Sequence, residues 1–314
     1  MKVATLGRSS HVTSRLAYGC WRIAGTWEPS EITPERELNG RRAVIAAYEA
    51  GYTFFDHADI YCQGEAERIF GQVLQEVSGM RERVMVASKC GIRRAGEPAP
   101  DSPYRYDFSA QHIIASCEQS LKRLGIEVID LYQLHRPDYL CHPDEVAGAF
   151  TRLKQAGKVR EFGVSNFRPS QVTALQKACP LPLIVNQIEI SLAKLDAFND
   201  GTIDQCLAEK MTPMAWSPLA GGHLGNRTKD ILPSQQTYRP EKIVAALDNI
   251  AKGRGASRAV IALAWLLRHP SGIVPIIGST SPENIREAAK AVEVELTREE
   301  WYRLLDAACG QRLP

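Results

Sequence analysis

The feature that most constrains the fold of this chain is an alternation of strand-like and helix-like segments, repeated about eight times along 314 residues. Short apolar runs that read as buried strands lie at 16–20, 53–55, 83–88, 128–134, 159–164, 183–187, 213–216 and 272–277. Helix-like patterns lie between and after them, at 34–50, 65–77, 110–124, 143–155, 169–177, 203–210, 240–253, 257–268, 282–292 and 298–308. Such repetition implies parallel strands joined by right-handed crossovers. Eight units predict an α/β fold of the closed (β/α)8 type, a TIM barrel, rather than an open sheet.

The two ends of the chain extend this barrel. Segments 2–6 and 11–15, joined by a turn at 7–10, predict a β-hairpin that plugs the barrel floor. The helix predicted at 298–308 is an extra C-terminal helix. No linker divides the sequence, so a single domain over 1–314 is expected. The longest irregular segments, 91–107 and 221–239, follow the third and seventh strands and should shape the mouth of the barrel.

Composition and charge narrow the classes of partner. A net charge of +2 and a pI near 8.1 give no reason to expect nucleic acid or an anionic membrane as a partner. With no secretory signal and no apolar stretch near membrane-spanning length, a cytoplasmic protein is expected, with a monomer as the default state. Eight cysteines without Cys-x-x-Cys or metal-ligand spacing read as reduced thiols, and no metal site is predicted. Whether Cys62 or Cys90, each beside a candidate catalytic residue, is redox-active stays open.

Four ionisable residues lie at or just past the ends of predicted strands. Asp56 follows the second strand, Lys89 the third and His135 the fourth, while Tyr61 comes five residues after Asp56 in a short loop. In a parallel barrel, groups at the C-terminal ends of strands converge on one mouth, where such enzymes carry out their chemistry. The sequence therefore predicts a catalytic site made of these four residues.

The chemistry of the four residues indicates proton transfer at an oxygen atom. A phenol with an ordinary pKa of about 10 is a poor acid near neutrality unless a nearby cation stabilises its phenolate. Lys89 can supply that cation, Asp56 can hold the Lys89 ammonium in place, and His135 can hydrogen-bond a substrate oxygen. The set contains no nucleophile with an adjacent base, so the missing reactant is a hydride donor, which must be a cofactor.

The second half of the chain offers a place for that cofactor. Amide-binding side chains follow the fifth and sixth predicted strands: Ser165, Asn166 and Gln187. Trp216, at the end of the seventh, presents a flat ring suited to stacking on a nicotinamide. The segment that follows it offers backbone donors for a pyrophosphate and includes the predicted contacts Ser217, Pro218, Leu219 and Gly222. After the eighth strand, Gly278, Ser279 and Thr280 lead into a predicted helix N-terminus, a favourable anion site.

Six of these segments together resemble a known family. They are Phe-Asp-His-Ala-Asp-Ile-Tyr at 55–61, Ser-Lys-Cys-Gly at 88–91, Leu-His-Arg-Pro-Asp at 134–138, Gly-Val-Ser-Asn-Phe at 163–167, Trp-Ser-Pro-Leu at 216–219 and Pro-Ile-Ile-Gly-Ser at 275–279. In wording, order and spacing they resemble the aldo/keto reductases, most closely the bacterial YdhF-like oxidoreductase branch. The resemblance runs from about residue 19 to about residue 292.

The resemblance implies a barrel that binds NADPH across its mouth and reduces the carbonyl of a small-molecule aldehyde or ketone. It implies that Tyr61 is the general acid, that Lys89 and Asp56 tune it, and that His135 orients the carbonyl. The cofactor contacts that it implies are Ser165, Asn166 and Gln187 on the carboxamide, Trp216 on the ring, and a pocket wall at Gly19, Cys20 and Trp21. Many members carry an arginine that grips the 2′-phosphate of NADPH where this chain has Asn284, so NAD is also a possible cofactor.

Two other functions fit parts of the same pattern. A regulatory barrel could keep the cofactor and use its oxidation state as a signal, with slow or no turnover. A phosphate-handling isomerase or lyase would use the anion site after the eighth strand, but would not need Asn166, Gln187 and Trp216.

Overall fold

The computed structural model describes residues 1–225, 233–236 and 238–310 of the chain. Its strands, in chain order, are β1 (Val3–Thr5), β2 (Val12–Ser14), β3 (Ala17–Gly19), β4 (Phe54–Asp56), β5 (Met85–Cys90), β6 (Ile92–Arg93), β7 (Arg105–Tyr106), β8 (Ile129–Leu134), β9 (Val159–Ser165), β10 (Leu183–Glu189), β11 (Thr212–Trp216) and β12 (Val274–Ile277). Within the described ranges, eight parallel strands close into a barrel in the order β10-β11-β12-β3-β4-β5-β8-β9. The predicted (β/α)8 barrel is confirmed, because each predicted strand segment contains or overlaps one barrel strand.

Helices connect the barrel strands and follow the last one. They are α1 (Pro34–Glu49), α2 (Glu65–Glu76), α3 (Ala110–Leu124), α4 (Pro143–Gln155), α5 (Pro169–Ala178), α6 (Asp196–Asn199), α7 (Thr202–Ala208), α8 (Glu241–Arg254), α9 (Arg258–Leu267), α10 (Pro282–Ala289) and α11 (Arg298–Cys309). Several begin at side-chain caps, which satisfy backbone N–H groups that have no partner inside the helix. The Ser281 hydroxyl accepts from the Asn284 amide, and Pro282 follows at the first helical position, where the predicted helix 282–292 begins. None of the helices in the described ranges is both long and apolar enough to cross a membrane.

The N-terminal hairpin closes the floor of the barrel, as predicted. Strands β1 and β2 pair antiparallel, and Leu6, only 1% exposed, packs into the apolar cluster inside the barrel. The turn after it approaches the barrel closely: the Gly7 amide donates to Thr212 Oγ1 at 2.7 Å. A Cβ at Gly7 would lie 2.3 Å from the Ile184 carbonyl oxygen, so the contact requires glycine.

The two long irregular segments are more structured than the sequence predicted. Segment 91–107 contains an antiparallel hairpin, β6 with β7. Its strands have two residues each, too short to show a period-2 pattern among the glycines and prolines around them. In segment 221–239, a short 3-10 turn spans Ala220–Gly222 and another spans Pro233–Gln235. Residues 226–232 and 237 of that predicted loop lie outside the described residues, as does the end of the predicted domain at 311–314.

Candidate active site

The mouth of the barrel holds a cavity of about 750 Å³ at the C-terminal ends of the strands. Ligand cavities of small-molecule enzymes fall in this size range, at about 300–1,000 Å³. Three of the four predicted catalytic residues, Asp56, Tyr61 and His135, line it, and Lys89 lies directly beneath them. The other lining residues are Gly19, Trp21, Trp27, Glu28, Ile60, Ile92, Arg94, Ala95, Tyr104, Arg136, Ser165, Asn166, Gln187, Trp216, Ser217, Ser234, Ile276 and Gly278. Parallel strand ends thus bring residues from both halves of the sequence together.

An ion pair between Asp56 and Lys89 forms the base of the cavity. The Lys89 ammonium donates to both carboxylate oxygens of Asp56 at 2.8 Å and to the His57 carbonyl at 2.6 Å. Lys89 is fully buried and Asp56 is 2% exposed, so water cannot replace these bonds. Asp56 ends β4 and Lys89 lies one residue before the end of the adjacent strand β5, which explains why the side chains meet.

The Tyr61 phenol lies close to the Lys89 ammonium, whose Nζ is 5.1 Å from the centroid of the Tyr61 ring. Burial raises the pKa of Tyr61 above its ordinary value, while the charge of Lys89 acts in the opposite direction. Lys89 thus acts on the phenol in the expected direction, but the loss of solvation in the cavity has the larger effect on the pKa of Tyr61. The phenol therefore stays protonated at neutral pH, with a cation in place to stabilise its phenolate.

His135 packs against Tyr61 and is held neutral. The two rings meet edge to face at a centroid distance of 5.9 Å. Burial, together with the charges of Lys89 and Arg136, lowers the pKa of His135 well below its ordinary range. Its Nδ1 is buried and has no hydrogen-bond partner among the residues that the structure describes. A neutral imidazole carries one N–H and can donate one hydrogen bond, but it has no excess proton to transfer.

The predicted amide-binding residues form a hydrogen-bonded chain along the opposite wall. Asn166 donates to Ser165 Oγ at 2.8 Å and to the His135 carbonyl at 3.1 Å, and its oxygen accepts from the Trp216 indole at 3.0 Å. Ser165 donates to the Gln187 carbonyl. The Gln187 amide donates to Asp56 Oδ1 at 2.8 Å, a contact that the sequence did not predict. Lone pairs remain on Ser165 Oγ and Asn166 Oδ1, and one N–H remains on Gln187, enough to bind a carboxamide.

The structure separates the predicted cofactor residues into two groups. Eight line the cavity: Gly19, Trp21, Ser165, Asn166, Gln187, Trp216, Ser217 and Gly278. Seven lie outside its lining: Cys20, Pro218, Leu219, Gly222, Ser279, Thr280 and Asn284. The expectation for Cys20 needs correction, because its side chain is fully buried in the apolar core and cannot form a pocket wall.

The segment after β12 has the features of an anion site. Gly278 lets the indole of Trp21 approach, since a Cβ there would lie 2.6 Å from Trp21 Nε1. Ser279 and Thr280 lead directly to the N-terminus of α10, where free amide groups and the helix dipole favour negative charge. Asn284 lies in the first turn of this helix, and Glu283 beside it accepts from the Ser281 hydroxyl at 2.7 Å.

Burial argues against reactive thiols at Cys62 and Cys90, the two cysteines beside candidate catalytic residues. Burial raises the pKa of Cys62, and it raises the pKa of Cys90 well above the ordinary value. Both thiols are therefore protonated at neutral pH, whereas thiolates are the species that oxidants attack. All eight cysteines are free.

Several residues of the outer cavity were not among the predicted site residues, although Trp27 was considered as a possible substrate contact. Trp27 packs against Trp21 at a ring distance of 5.7 Å and against the Tyr61 ring at 6.4 Å. Glu28 accepts a hydrogen bond from Arg94 at 3.2 Å. Arg136 follows His135 directly and lies near Trp216. None of these belongs to a pattern of its own, although Arg136 follows a predicted catalytic residue and that position could have drawn attention to it.

Fold and site together define a (β/α)8-barrel enzyme with a buried Asp-Lys pair, a phenol and a neutral imidazole at its mouth. The sequence model of the aldo/keto reductase family matches residues 15–308. The chain belongs to the aldo/keto reductase family and is an oxidoreductase.

Individual relatives cover nearly the whole chain. A 6-dehydroglucose reductase of Novosphingobium aromaticivorans is 42% identical, over 98% of this chain and 96% of the relative. The oxidoreductase YdhF of Escherichia coli is 40% identical, over 96% of this chain and 95% of its own length. Among solved structures, a glycerol dehydrogenase from Gluconobacter oxydans superposes with a TM-score of 0.85 at 28% identity, covering 98% of this chain and 95% of that structure.

Proposed function

We propose that this protein reduces an aldehyde or ketone carbonyl to an alcohol with a nicotinamide dinucleotide, and that Tyr61 is the general acid. The observation that carries the proposal is the position of the Tyr61 phenol. It is protonated, the Lys89 Nζ lies 5.1 Å from the centroid of its ring, and it packs beside the neutral His135 on the wall of an open cavity.

The residues of the cavity fit a nicotinamide dinucleotide. The Trp216 indole is held by its hydrogen bond to Asn166 and offers a flat face. Ser165, Asn166 and Gln187 keep the spare donor and acceptors that a carboxamide needs. The start of α10 could bind the phosphates.

The bound nucleotide would supply a hydride to the carbonyl carbon. Tyr61 would donate the phenol proton to the carbonyl oxygen, and Lys89 would stabilise the phenolate left behind. Asp56 holds the Lys89 ammonium through two hydrogen bonds at 2.8 Å, which fixes the cation under the phenol. His135 would donate its single N–H to the same carbonyl oxygen, orienting it without protonating it.

We propose NADPH as the cofactor, with NADH also accepted. Asn284 offers no cation to bind a 2′-phosphate, and the neighbouring Glu283 carboxylate would repel that phosphate. The preference for NADPH over NADH should therefore be modest. For the substrate, the relative from Novosphingobium aromaticivorans is named for 6-dehydroglucose, an aldehyde derived from a sugar. A sugar-derived aldehyde is therefore our candidate. We also propose a single-domain, monomeric, cytoplasmic protein, in keeping with its eight free thiols.

A titration followed by turnover tests the proposal. Purified protein is titrated with NADPH and NADH, and oxidation of the bound nucleotide is followed with a reactive aromatic aldehyde. The variants are Tyr61→Phe and, as a matched control, Tyr139→Phe, whose tyrosine is 86% exposed. We expect unchanged nucleotide affinity and a loss of kcat of about 10²- to 10⁴-fold in Tyr61→Phe alone. Binding without turnover in the wild type would favour a redox-sensing role, and no binding would refute the cofactor assignment.

A further inference from the structure

The described side chains of the cavity carry more positive than negative charges. In the part of the chain that the structure describes, five charged side chains lie in the cavity or directly beneath it: Glu28, Asp56, Lys89, Arg94 and Arg136. Lys89 pairs with Asp56, and Arg94 pairs with Glu28 at 3.2 Å. Arg136 is left over, so the described residues of the cavity leave one positive charge without a paired negative charge.

No carboxylate of the described ranges forms an ion pair with Arg136, and nearby acids have other partners. Asp138, two residues along the chain, accepts from the Phe108 and Leu140 amides. Glu28 binds Arg94 and also accepts from Gln63. The contact recorded for the guanidinium of Arg136 is with the Trp216 ring, 5.5 Å from its centroid. A half-buried guanidinium with five N–H donors therefore faces the cavity without a hydrogen bond to any residue of the described ranges.

Two residues near Arg136 in the cavity show where its charge acts. Its charge lowers the pKa of His135 on one side and acts to lower the pKa of Tyr104 on the other, where burial dominates. Arg136 follows His135 directly and both side chains line the cavity, so the guanidinium lies near the imidazole that would hold the carbonyl oxygen. A polar group on a carbon close to that carbonyl is the part of a substrate best placed to bind it.

We propose that Arg136 is a specificity-determining residue that binds an oxygen atom, a hydroxyl or a carboxylate, close to the reacting carbonyl of the substrate. The proposal rests on the carbonyl reduction proposed above and adds which carbonyl compounds are selected. The guanidinium fork donates to such an oxygen and gains an acceptor that the protein does not supply. An aldehyde without that oxygen would leave the guanidinium unpaired in the cavity and lose the interaction.

Two matched pairs of aldehydes test the proposal. D-Glyceraldehyde is compared with propanal for the hydroxyl, and succinic semialdehyde with butanal for the carboxylate. For each protein, the kcat/KM of the oxygen-bearing aldehyde is divided by the kcat/KM of its partner. The ratio for the wild type is then compared with the ratio for the variant, so that the intrinsic reactivity of the aldehydes cancels. The variants are Arg136→Met, which removes charge and donors, and Arg136→Lys, which keeps the charge but loses the fork. Arg152→Met, at an exposed position of α4, is the control.

We expect Arg136→Met to reduce the preference for an oxygen-bearing aldehyde by about 10- to 100-fold in at least one pair, as for a hydrogen bond to a charged group. Arg136→Lys should lie between the wild type and Arg136→Met, and Arg152→Met should match the wild type. The pair that responds tells hydroxyl from carboxylate. An equal loss for all four aldehydes, or a loss confined to nucleotide affinity, would overturn the proposal. If the wild type reduced no aldehyde at all, the proposed function itself would fail.

Discussion

The Lys89→Met substitution would show how far the fold depends on its candidate active site. The Lys89 ammonium makes three hydrogen bonds, two to Asp56 at 2.8 Å and one to the His57 carbonyl at 2.6 Å. Methionine has similar length and fills the space of the stem, so packing changes little. What the substitution removes is the cation, and it leaves the Asp56 carboxylate with the Gln187 amide as its remaining side-chain partner in the described structure.

The expected loss of stability follows from the burial of the pair. Removing one partner of a buried ion pair costs about 3–5 kcal/mol, because the other charge stays in a medium that solvates it poorly. Side-chain exposures of 0% for Lys89 and 3% for Asp56 place this pair in that class. Domains of this kind are stabilised by only about 5–15 kcal/mol, so the loss should be a large fraction of the total.

Double substitution separates this structural effect from catalysis. We expect Lys89→Met to lower the free energy of unfolding by about 3–5 kcal/mol, and Asp56→Asn/Lys89→Met to recover most of it, since no unpaired charge remains. Both variants should lack carbonyl reduction. The measurement is urea unfolding at pH 7 followed by tryptophan fluorescence, with aldehyde-dependent nucleotide oxidation in parallel. A loss below about 1 kcal/mol in Lys89→Met, or no recovery in the double variant, would refute the reasoning.

Two further predictions concern the cofactor and acid stability. Asn284→Arg places a guanidinium in the first turn of α10 and should tighten NADPH binding about 10-fold while leaving NADH unchanged; equal changes in both titrations would contradict the assigned 2′-phosphate site. Burial lowers the pKa of His57 from 6.5 to about 3, so this residue contributes stability that is complete above pH 6.5 and is lost as pH falls towards 3. Between pH 7 and pH 5, the free energy of unfolding measured with urea should therefore fall by about 2 kcal/mol less in His57→Leu than in the wild type. An identical fall in both proteins would show that His57 is not the group that titrates.

The barrel could be predicted from sequence because each of its strands is an apolar run bounded by turn residues. Segment 128–134 is an example. All six residues of Ile129–Leu134 are buried, and a strand buried on both faces consists mostly of apolar residues, which can be recognised in the sequence. The hairpin of β6 and β7 has no recognisable sequence pattern, because its residues are half-buried and its strands are two residues long. The same distinction holds at the site. Asp56 and Lys89 could be found from their places at strand ends, whereas Trp27, Glu28 and Arg94 reach the cavity from loops whose course depends on tertiary packing.

The hydrogen bond from Gln187 to Asp56 joins two parts of the site that the sequence treated as separate. Gln187 was expected to bind the carboxamide of the cofactor, and Asp56 to hold the cation under the phenol. In the structure one Gln187 N–H is committed to Asp56 Oδ1 at 2.8 Å, which leaves the other for a ligand. The same carboxylate oxygen accepts from Lys89. A carboxamide bound at Gln187 would therefore share this side chain with the Asp56 carboxylate that positions Lys89. Under the proposed function, the group that delivers hydride and the group that delivers the proton would then both be positioned by the same buried pair of Gln187 and Asp56.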